Sequence, residues 1–484
     1  MNLNAINQKM TKYRWTICTL LFAATTINYL DRQVLSLLQP TLETEFHWTD
    51  SDYGTITAIF SAAYAVCMLF AGRFVDWLGT RKGYAWAIGL WSVGAMLHSL
   101  CGIGTEWFTG IHSAKALGAA TDPGTIATIS MVSVVAFVLA RIVLAMGESG
   151  SFPAAIKATA EYFPKRDRAF ATGIFNSGAN VGAILAPLTV PFIAAAWGWE
   201  VAFLAIGAIG FLWLIAWLIW YKPLETNEKV NAVERSYILQ DNVVEKGKEI
   251  QQDHEKKMSF RQCLKYKQTW AFAFGKFMTD GVWWFFLFWT PAYLKAEYGM
   301  APTQVAIPIG VLYTLTVFGS VFGGKFPTFF INKGMNPYAG RMKAMLIIAF
   351  CPLLVLLAQP LGHIESMGKF SYWIPVLLIG IGGSAHQAWS ANIFTTVGDM
   401  FPKSAIATVT GIGGMAGGIG SFLINKGSGV LFDYSDVAWK HISFMGSSGK
   451  SLGYSAVFAV CATAYLIGWV VMKFLVPKYK PITN

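Results

Sequence analysis

Twelve long apolar runs are the feature that most limits what this chain of 484 residues can fold into. Each has at least about 18 residues, the length that an α-helix needs to cross the hydrocarbon core of a bilayer. Charged residues make up 13% of the chain, against about 25% in a typical soluble domain. The pattern predicts an all-α, polytopic membrane protein. Its twelve transmembrane helices are expected near residues 15–38, 54–78, 83–101, 131–153, 169–195, 200–220, 269–294, 303–331, 344–361, 372–398, 405–431 and 452–476.

Basic residues are concentrated in alternate loops. No Lys or Arg occurs between Arg32 and Arg73, or between Arg168 and Lys222, whereas the loop regions on either side contain several. Because cytoplasmic loops carry the excess of basic residues, both termini are expected in the cytoplasm. The formal charge of +11 comes from these loops, so we expect no nucleic-acid partner. The six cysteines are scattered without metal-binding spacing, and we expect no metal and no cofactor.

A charged segment divides the chain into two halves. Residues 222–268 interleave both signs of charge and are predicted to be a cytoplasmic linker, partly helical. Six apolar runs precede the linker and six follow it, which predicts a six-helix bundle over residues 1–221 and another over 269–484. The connection after the third run, residues 102–130, is unusually long, and we expect it to form an external insertion.

A repeat relates the two halves. The segment FPKRDRAFATGIFNSGANVGA from Phe163 resembles FPKSAIATVTGIGGMAGGIGS from Phe401, and Gly182 matches Gly420. Glycine at a helix interface permits close approach of two helices. Two related six-helix halves are the layout of alternating-access carriers, in which the binding site lies between the halves.

Charged residues interrupt two of the apolar runs. Arg141 and Glu148 lie in VVAFVLARIVLAMGESGSFPAAI, two helical turns apart, so they share one helix face at about 10 Å from each other. Asp31 and Arg32 lie in NYLDRQ of the first run. Charged groups in a spanning helix are costly and normally face a bundle interior or a water-filled path, which predicts a transport pathway. The alternatives are a structural ion pair between Arg141 and Glu148, and a helix-end anchor at Asp31 and Arg32.

The segment GRFVDWLGTRK, from Gly72 to Lys82, resembles the signature of the major facilitator superfamily. In that family the acidic residue, here Asp76, accepts from a helix N-terminus in the other half and pairs with a basic residue. The resemblance implies that Gly72, Asp76 and Arg81 form a conformational gate that holds one state closed on the inside. The second half has Thr328 at the acidic position, so a matching gate is not expected there.

Three further segments resemble the anion:cation symporters of that superfamily, and bacterial hexuronate transporters in particular. The segments are NYLDRQ, RIVLAMGESGSFPAA and HQAWSAN, with Ser149 standing where a glycine is usual. The resemblance implies that Asp31 and Glu148 take the co-transported protons, with Arg141 as a coupling residue. It also implies an anion site that is lined by Tyr29, Arg32, Tyr64, Gln387 and Asn392.

The seventh run contains K-x-x-x-D-x-x-W-W, a combination that also resembles the hexuronate transporters. The resemblance implies that Lys276 contacts a second polar or anionic part of the substrate. A simpler interpretation is that Lys276 and Asp280, four residues apart on a helix, neutralise each other. Most of the aromatic residues that follow are expected to contact lipid or other helices, while one or two could face a sugar ring.

The function expected from these residues and resemblances is a proton-coupled symporter that imports a sugar-acid anion, most of all a hexuronate. Another organic anion, such as an aldonate, an aldarate or an aromatic acid, remains an alternative. A membrane-embedded enzyme is a remote alternative, because the sequence contains no convergent nucleophile–base set or metal-ligand motif. A channel is a second remote alternative. We expect a monomer in the lipid bilayer of a bacterial inner membrane, with the anion and protons as partners.

Overall fold

Long helices account for most of the structure. The computed structural model describes residues 9–240, 258–362, 368 and 370–482. Within those ranges the long helices are α1 (Tyr13–Phe46), α2 (Asp50–Leu78), α3 (Thr80–Thr109), α4 (Pro123–Tyr162), α5 (Lys165–Trp197), α6 (Trp199–Trp220), α7 (Lys267–Tyr298), α8 (Ala306–Ile331), α9 (Pro337–Gly362), α10 (Trp373–Met400), α11 (Lys403–Ala438) and α12 (Gly449–Leu475). A hairpin of two short strands, β1 (Ser443–Phe444) and β2 (Ser447–Ser448), precedes α12. The predicted all-α fold is confirmed.

Three of the helices are interrupted. A 3-10 turn at His98–Leu100 divides α3, and a 3-10 segment at Cys351–Leu357 divides α9. In α4 the break lies at Gly150, two residues after Glu148 and three residues before Pro153. Proline cannot donate a helical hydrogen bond from its nitrogen, so a break near it is expected.

Eight of the twelve helices in the described ranges are long and apolar enough to cross a membrane by length and composition alone. The other four are α1, α7, α10 and α11, which carry polar residues such as Asp31, Lys276, Gln387 and Asn425. Polar side chains in a spanning helix are costly unless they face protein or water. The surroundings of these side chains inside the bundle therefore bear directly on function.

The repeat is visible in the packing of both halves, here called the N-half (α1–α6) and the C-half (α7–α12). A side chain at Gly182 of α5 would collide with the carbonyl oxygen of Thr26 on α1. A side chain at Gly420 of α11 would collide in the same way with the carbonyl oxygen of Phe277 on α7. Matched glycines thus allow the same close helix contact in each half.

The connection between α3 and α4 differs from the prediction. An external insertion over residues 102–130 was expected, but α3 continues to Thr109 and α4 already begins at Pro123. Only residues 110–122 connect the two helices. The Asp122 carboxylate caps the first turn of α4, and Pro123 occupies the first helical position, where proline is favoured. These two helix-start signals explain why α4 begins before the apolar run, although its first turns are polar.

The first part of the predicted linker packs against the N-half. It forms a short helix, Ala232–Ile238, whose Glu234 side chain is fully buried. Glu234 accepts hydrogen bonds from the backbone N–H groups of Tyr13 and Arg14, at 3.0 and 3.1 Å, and pairs with the Arg14 guanidinium at 3.0 Å. Glu234 of the linker therefore provides hydrogen-bond acceptors for first-turn N–H groups of α1, which have no partner within their own helix. Residues 241–257 of the predicted linker lie outside the described residues.

Ion pairs join the two halves at the end of the bundle opposite the chain termini, here called the distal end. Lys450 Nζ lies 2.5 Å from Asp50 Oδ2, and Lys295 Nζ lies 3.1 Å from Glu43 Oε2. Glu43 and Asp50 belong to the N-half, whereas both lysines belong to the C-half. Each pair therefore crosses the boundary between the halves.

Asp433 of α11 caps the first turn of α2 across the same boundary. Its carboxylate accepts from the backbone N–H groups of Asp50 and Ser51, at 2.9 and 2.7 Å. Lys426, two turns earlier on α11, donates to the hydroxyl groups of Ser51 and Thr55 at 2.8 and 2.7 Å. First-turn N–H groups lack partners within their own helix, so a carboxylate is favoured there. The distal end is closed by these contacts.

Candidate functional site

Arg32 of α1 and Glu148 of α4 form an ion pair inside the bundle. Arg32 Nη2 and Nε donate to Glu148 Oε2 at 2.6 and 3.0 Å, and the two residues are 4% and 1% exposed. The other carboxylate oxygen, Oε1, has no hydrogen-bond partner among the described residues. Glu148 is thus held through one oxygen, and its second oxygen is free to receive a proton.

Aromatic rings from both halves surround the Arg32 guanidinium. Its central carbon lies 5.0 Å from the ring centroids of Tyr29 and Tyr64, 4.9 Å from that of Trp284 and 5.8 Å from that of Phe60. Trp284 belongs to α7, whereas the other three rings belong to the N-half. Arg32 therefore lies where the two halves meet, among ring faces that attract cations. Such faces also suit the flat side of a sugar.

Arg141 and Asp31 extend the cluster without forming hydrogen bonds of their own. The Arg141 guanidinium lies 5.1 Å from the Phe60 ring, and none of its three nitrogens has a hydrogen-bond partner in the described part of the chain. Both oxygens of Asp31 lack partners within the same ranges. The two side chains are 1% and 3% exposed, and each interacts electrostatically with Glu148. The structural ion pair considered for Arg141 and Glu148 is not formed, because Glu148 binds Arg32 instead.

A second ion pair lies on α7 of the C-half. Lys276 Nζ is 2.7 Å from Asp280 Oδ2, as the spacing of four residues predicted. The Lys276 ammonium also lies 4.3 Å from the Phe394 ring centroid. Lys276, Asp280 and Trp284 recur every four residues, so they share one face of α7. Because Trp284 contacts Arg32, this face points toward the cluster in the N-half.

The charges of the site balance. Three cations face three carboxylates: Arg32, Arg141 and Lys276 with Asp31, Glu148 and Asp280. An anion that enters adds one negative charge to this buried set, and an unpaired buried charge is costly. Uptake of one proton by a carboxylate would restore the balance.

Two polar residues of α10 that were expected at the anion site form no hydrogen bond with Arg32 among the described residues. Asn392 is 1% exposed, and its amide donates to the carbonyl oxygens of Gly323 and Ala388 at 2.9 and 2.8 Å. Its amide group therefore holds α10 against α8. Gln387 is half-buried, and across the ranges that the structure covers no hydrogen bond or ion pair joins it to Arg32. A role for Gln387 in binding stays a prediction.

Across the ranges that the structure describes, the contacts of the predicted gate residues lie within the N-half. Asp76 is exposed and pairs with Lys157 of α4 at 2.8 Å, and Arg81 donates to the carbonyl oxygen of Leu218 at 2.6 Å. A side chain at Gly72 would meet nothing within 4 Å. Among the residues whose side chains the structure describes, no residue of the C-half contacts Asp76, and the Asp76 side chain is 74% exposed.

Sequence reasoning did not single out Phe60, and it treated Trp284 only as one of several aromatic residues of α7, of which one or two could face a sugar ring. Phe60 precedes Tyr64 by one helical turn, so the two rings share a face of α2. Trp284 follows Lys276 by eight residues on α7. Helical spacing from an already suspected residue would have found both rings.

Comparisons with known proteins show which family the chain belongs to. The family model described as Major Facilitator Superfamily matches residues 21–424. The hexuronate transporter of Escherichia coli strain K12 is 30% identical over 474 residues, which cover 96% of this chain and 95% of that protein. The galacturonate transporter of Dickeya chrysanthemi is 30% identical over 324 residues, which cover 66% of this chain and 84% of that protein.

A solved structure supports the same fold. The inward-facing, unoccupied crystal structure of a bacterial homologue of the human lysosomal transporter Spinster superposes with a TM-score of 0.67. That superposition covers 96% of this chain and 98% of the other, at 19% sequence identity. With matches of this extent, the chain belongs to the major facilitator superfamily of membrane transporters and is not an enzyme.

Proposed function

We propose that this transporter is a proton-coupled symporter that imports a sugar-acid anion, most of all a hexuronate. The observation that carries the proposal is the buried ion pair between Arg32 and Glu148, enclosed by rings from both halves. A guanidinium binds a carboxylate through two parallel hydrogen bonds, so it suits the acid group of such a substrate. The similarity to hexuronate and galacturonate transporters supports the choice of substrate class.

Proton coupling follows from competition for Arg32. In this conformation Glu148 occupies two of the guanidinium donors of Arg32. A substrate carboxylate can take that place only if Glu148 withdraws, and its withdrawal leaves a buried negative charge unless it binds a proton. Asp31, which lies near Glu148 without a hydrogen-bond partner of its own among the described residues, is the second proton-binding group of the N-half. Arg141 keeps free donors near both carboxylates.

Alternating access is supported by the contrast between the two ends of the bundle. The basic loops favour a cytoplasmic location for the termini, which makes the distal end the outer one. Contacts from Lys450, Lys295 and Asp433 close that end, while at the opposite end Asp76 is largely exposed and pairs with Lys157 of its own half. The described conformation therefore corresponds to a state that releases substrate to the cytoplasm. In the opposite state we expect Asp76 to engage the N-terminus of α11. The carrier would work as a monomer in the bacterial inner membrane, since each half supplies part of one site.

Transport by purified protein in proteoliposomes tests this function. An inward proton gradient should drive saturable accumulation of labelled D-galacturonate, and an uncoupler should abolish it. Unlabelled D-galacturonate inside should support counterflow of labelled substrate, as a carrier requires and a channel does not. D-galactonate, galactarate and an aromatic acid serve as competitors that separate the alternative anions. Accumulation that ignores the proton gradient would contradict symport, and preference for an aldonate or aldarate would replace the hexuronate.

A further inference from the structure

We propose that Asp280 is an additional proton-coupling carboxylate, and that its ion pair with Lys276 must open before the far end of the sugar acid can bind. The inference rests on the proposed function, because it assigns a role in the binding of the same substrate. Neither the family match nor the similar transporters assign a role to Asp280.

The first support is position. Lys276, Asp280 and Trp284 share one face of α7, and Trp284 lies 4.9 Å from the Arg32 guanidinium. Neighbours four residues apart on a helix are separated by about 6 Å along its axis. Asp280 therefore lies one turn from the ring that touches Arg32. Tyr29 of α1 interacts electrostatically with both Arg32 and Asp280, so one tyrosine lies within range of both ion pairs.

The second support is access. The side chain of Asp280 is 15% exposed, whereas that of Glu148 is fully buried. Asp280 is therefore less tightly enclosed by protein than Glu148, which favours Asp280 for proton exchange. The Asp280 carboxylate also packs closely against the backbone of α11 at Gly417, where any added side chain would collide with it. The glycine leaves a notch in α11 that holds Asp280 beside Lys276.

The charged and titratable groups around Asp280 come from several helices. Lys276 of α7 pairs with it directly, while Tyr29 of α1 and Tyr465 of α12 interact with it electrostatically. His386 of α10 faces Lys276 and shares a 2.9 Å hydrogen bond with the Tyr465 hydroxyl. From α11 the contact is the backbone at Gly417. Lys276 thus forms the ion pair with Asp280, and protonation of Asp280 would free the Lys276 ammonium for other partners.

The third support is the parallel between the halves. Arg32 and Glu148 pair at 2.6 Å in the N-half, and Lys276 and Asp280 pair at 2.7 Å in the C-half. A hexuronate carries a carboxylate at one end and hydroxyl and ring oxygens at the other. The carboxylate can replace Glu148 on Arg32, while the oxygens at the far end can accept from Lys276 once Asp280 is neutral. A substrate held by both halves favours the state in which they are close together.

Isothermal titration calorimetry of the full chain in buffers of different ionisation enthalpy counts the protons that are taken up when D-galacturonate binds. We expect Asp280→Asn to bind the substrate with about one proton fewer than the wild type, because asparagine cannot accept it. The affinity of this variant should also fall less steeply as pH rises. The exposed Asp436, another aspartate of the C-half, provides the matched control, since Asp436→Asn should keep the wild-type proton count.

The double variant Lys276→Gln/Asp280→Asn removes both charges and so leaves no buried charge unpaired. It should also take up about one proton fewer, and its affinity should fall about tenfold or more through loss of a hydrogen bond from a charged donor. A wild-type proton count in Asp280→Asn overturns the proposal, as does loss of binding by Asp280→Asn when that single variant keeps a wild-type melting temperature. If Asp280→Asn does not fold, the number of protons taken up by the double variant decides: about one fewer than the wild type supports the proposal, and the wild-type number overturns it. If the wild type itself binds no sugar acid, the proposed function fails, and that failure is visible without any variant.

Discussion

Replacement of Arg32 by alanine is expected to weaken D-galacturonate binding by roughly 100-fold or more, since truncating one partner of a buried charge pair costs about 2–5 kcal/mol. Arg32 is 4% exposed, donates twice to Glu148 and lies against rings from both halves. Lysine should restore little, because a single ammonium does not reproduce the planar pair of donors. Calorimetry on purified protein gives the affinity, and uptake into proteoliposomes gives the transport rate.

Two controls separate loss of the binding group from general damage. Arg261→Ala removes an exposed arginine outside the bundle interior and should leave affinity unchanged. Arg32→Ala leaves Glu148 buried without its cation, so Arg32→Ala/Glu148→Gln should recover thermal stability without recovering binding. Near-normal affinity in Arg32→Ala, with the protein folded, would remove Arg32 from the substrate site.

Replacement of Glu148 by glutamine is expected to separate binding from proton coupling. Glutamine has nearly the shape of the protonated acid but cannot release a proton, so Arg32 stays available to the substrate. Exchange of labelled for unlabelled D-galacturonate should continue. Accumulation driven by a pH gradient should fall by about tenfold for each pH unit of the gradient, because one coupled proton supports accumulation of about that size.

The exposed Glu225, in the segment that follows α6, offers a matched glutamate control. Glu225→Gln should accumulate substrate as the wild type does. Full proton-driven accumulation by Glu148→Gln would exclude Glu148 from the coupling scheme. Loss of exchange together with accumulation would instead assign Glu148 to binding or folding.

The sequence was sufficient for the fold because each part of the fold leaves a local signal. Apolar runs predict spanning helices, and the matched segments from Phe163 and Phe401 predict two halves. Charged residues inside such runs are costly, so the positions of Asp31, Arg32 and Glu148 within apolar runs are enough to mark them as candidates. Their burial near one another agrees with that reasoning.

The pairing of those charges could not be predicted, because it depends on contacts between distant residues. Arg32 and Glu148 are 116 positions apart, and helix periodicity pointed to Arg141 as the neighbour of Glu148 on one helix. Packing of α1 against α4 determined the partner. The amide of Asn392 is likewise bound to the α8 backbone through a tertiary contact that no motif encodes. The position of Asp76 depends on the conformational state, which a motif does not specify.

The most direct test of the account is the dissociation constant of D-galacturonate as a function of pH, measured in parallel for the wild type and Glu148→Gln. If the substrate carboxylate and Glu148 compete for Arg32, the wild-type affinity should fall as pH rises, by about tenfold per pH unit for each linked proton. In Glu148→Gln the slope of affinity against pH should be smaller by the contribution of about one proton. A wild-type affinity that does not change with pH, or an equal slope in the two proteins, would contradict the competition on which the mechanism depends.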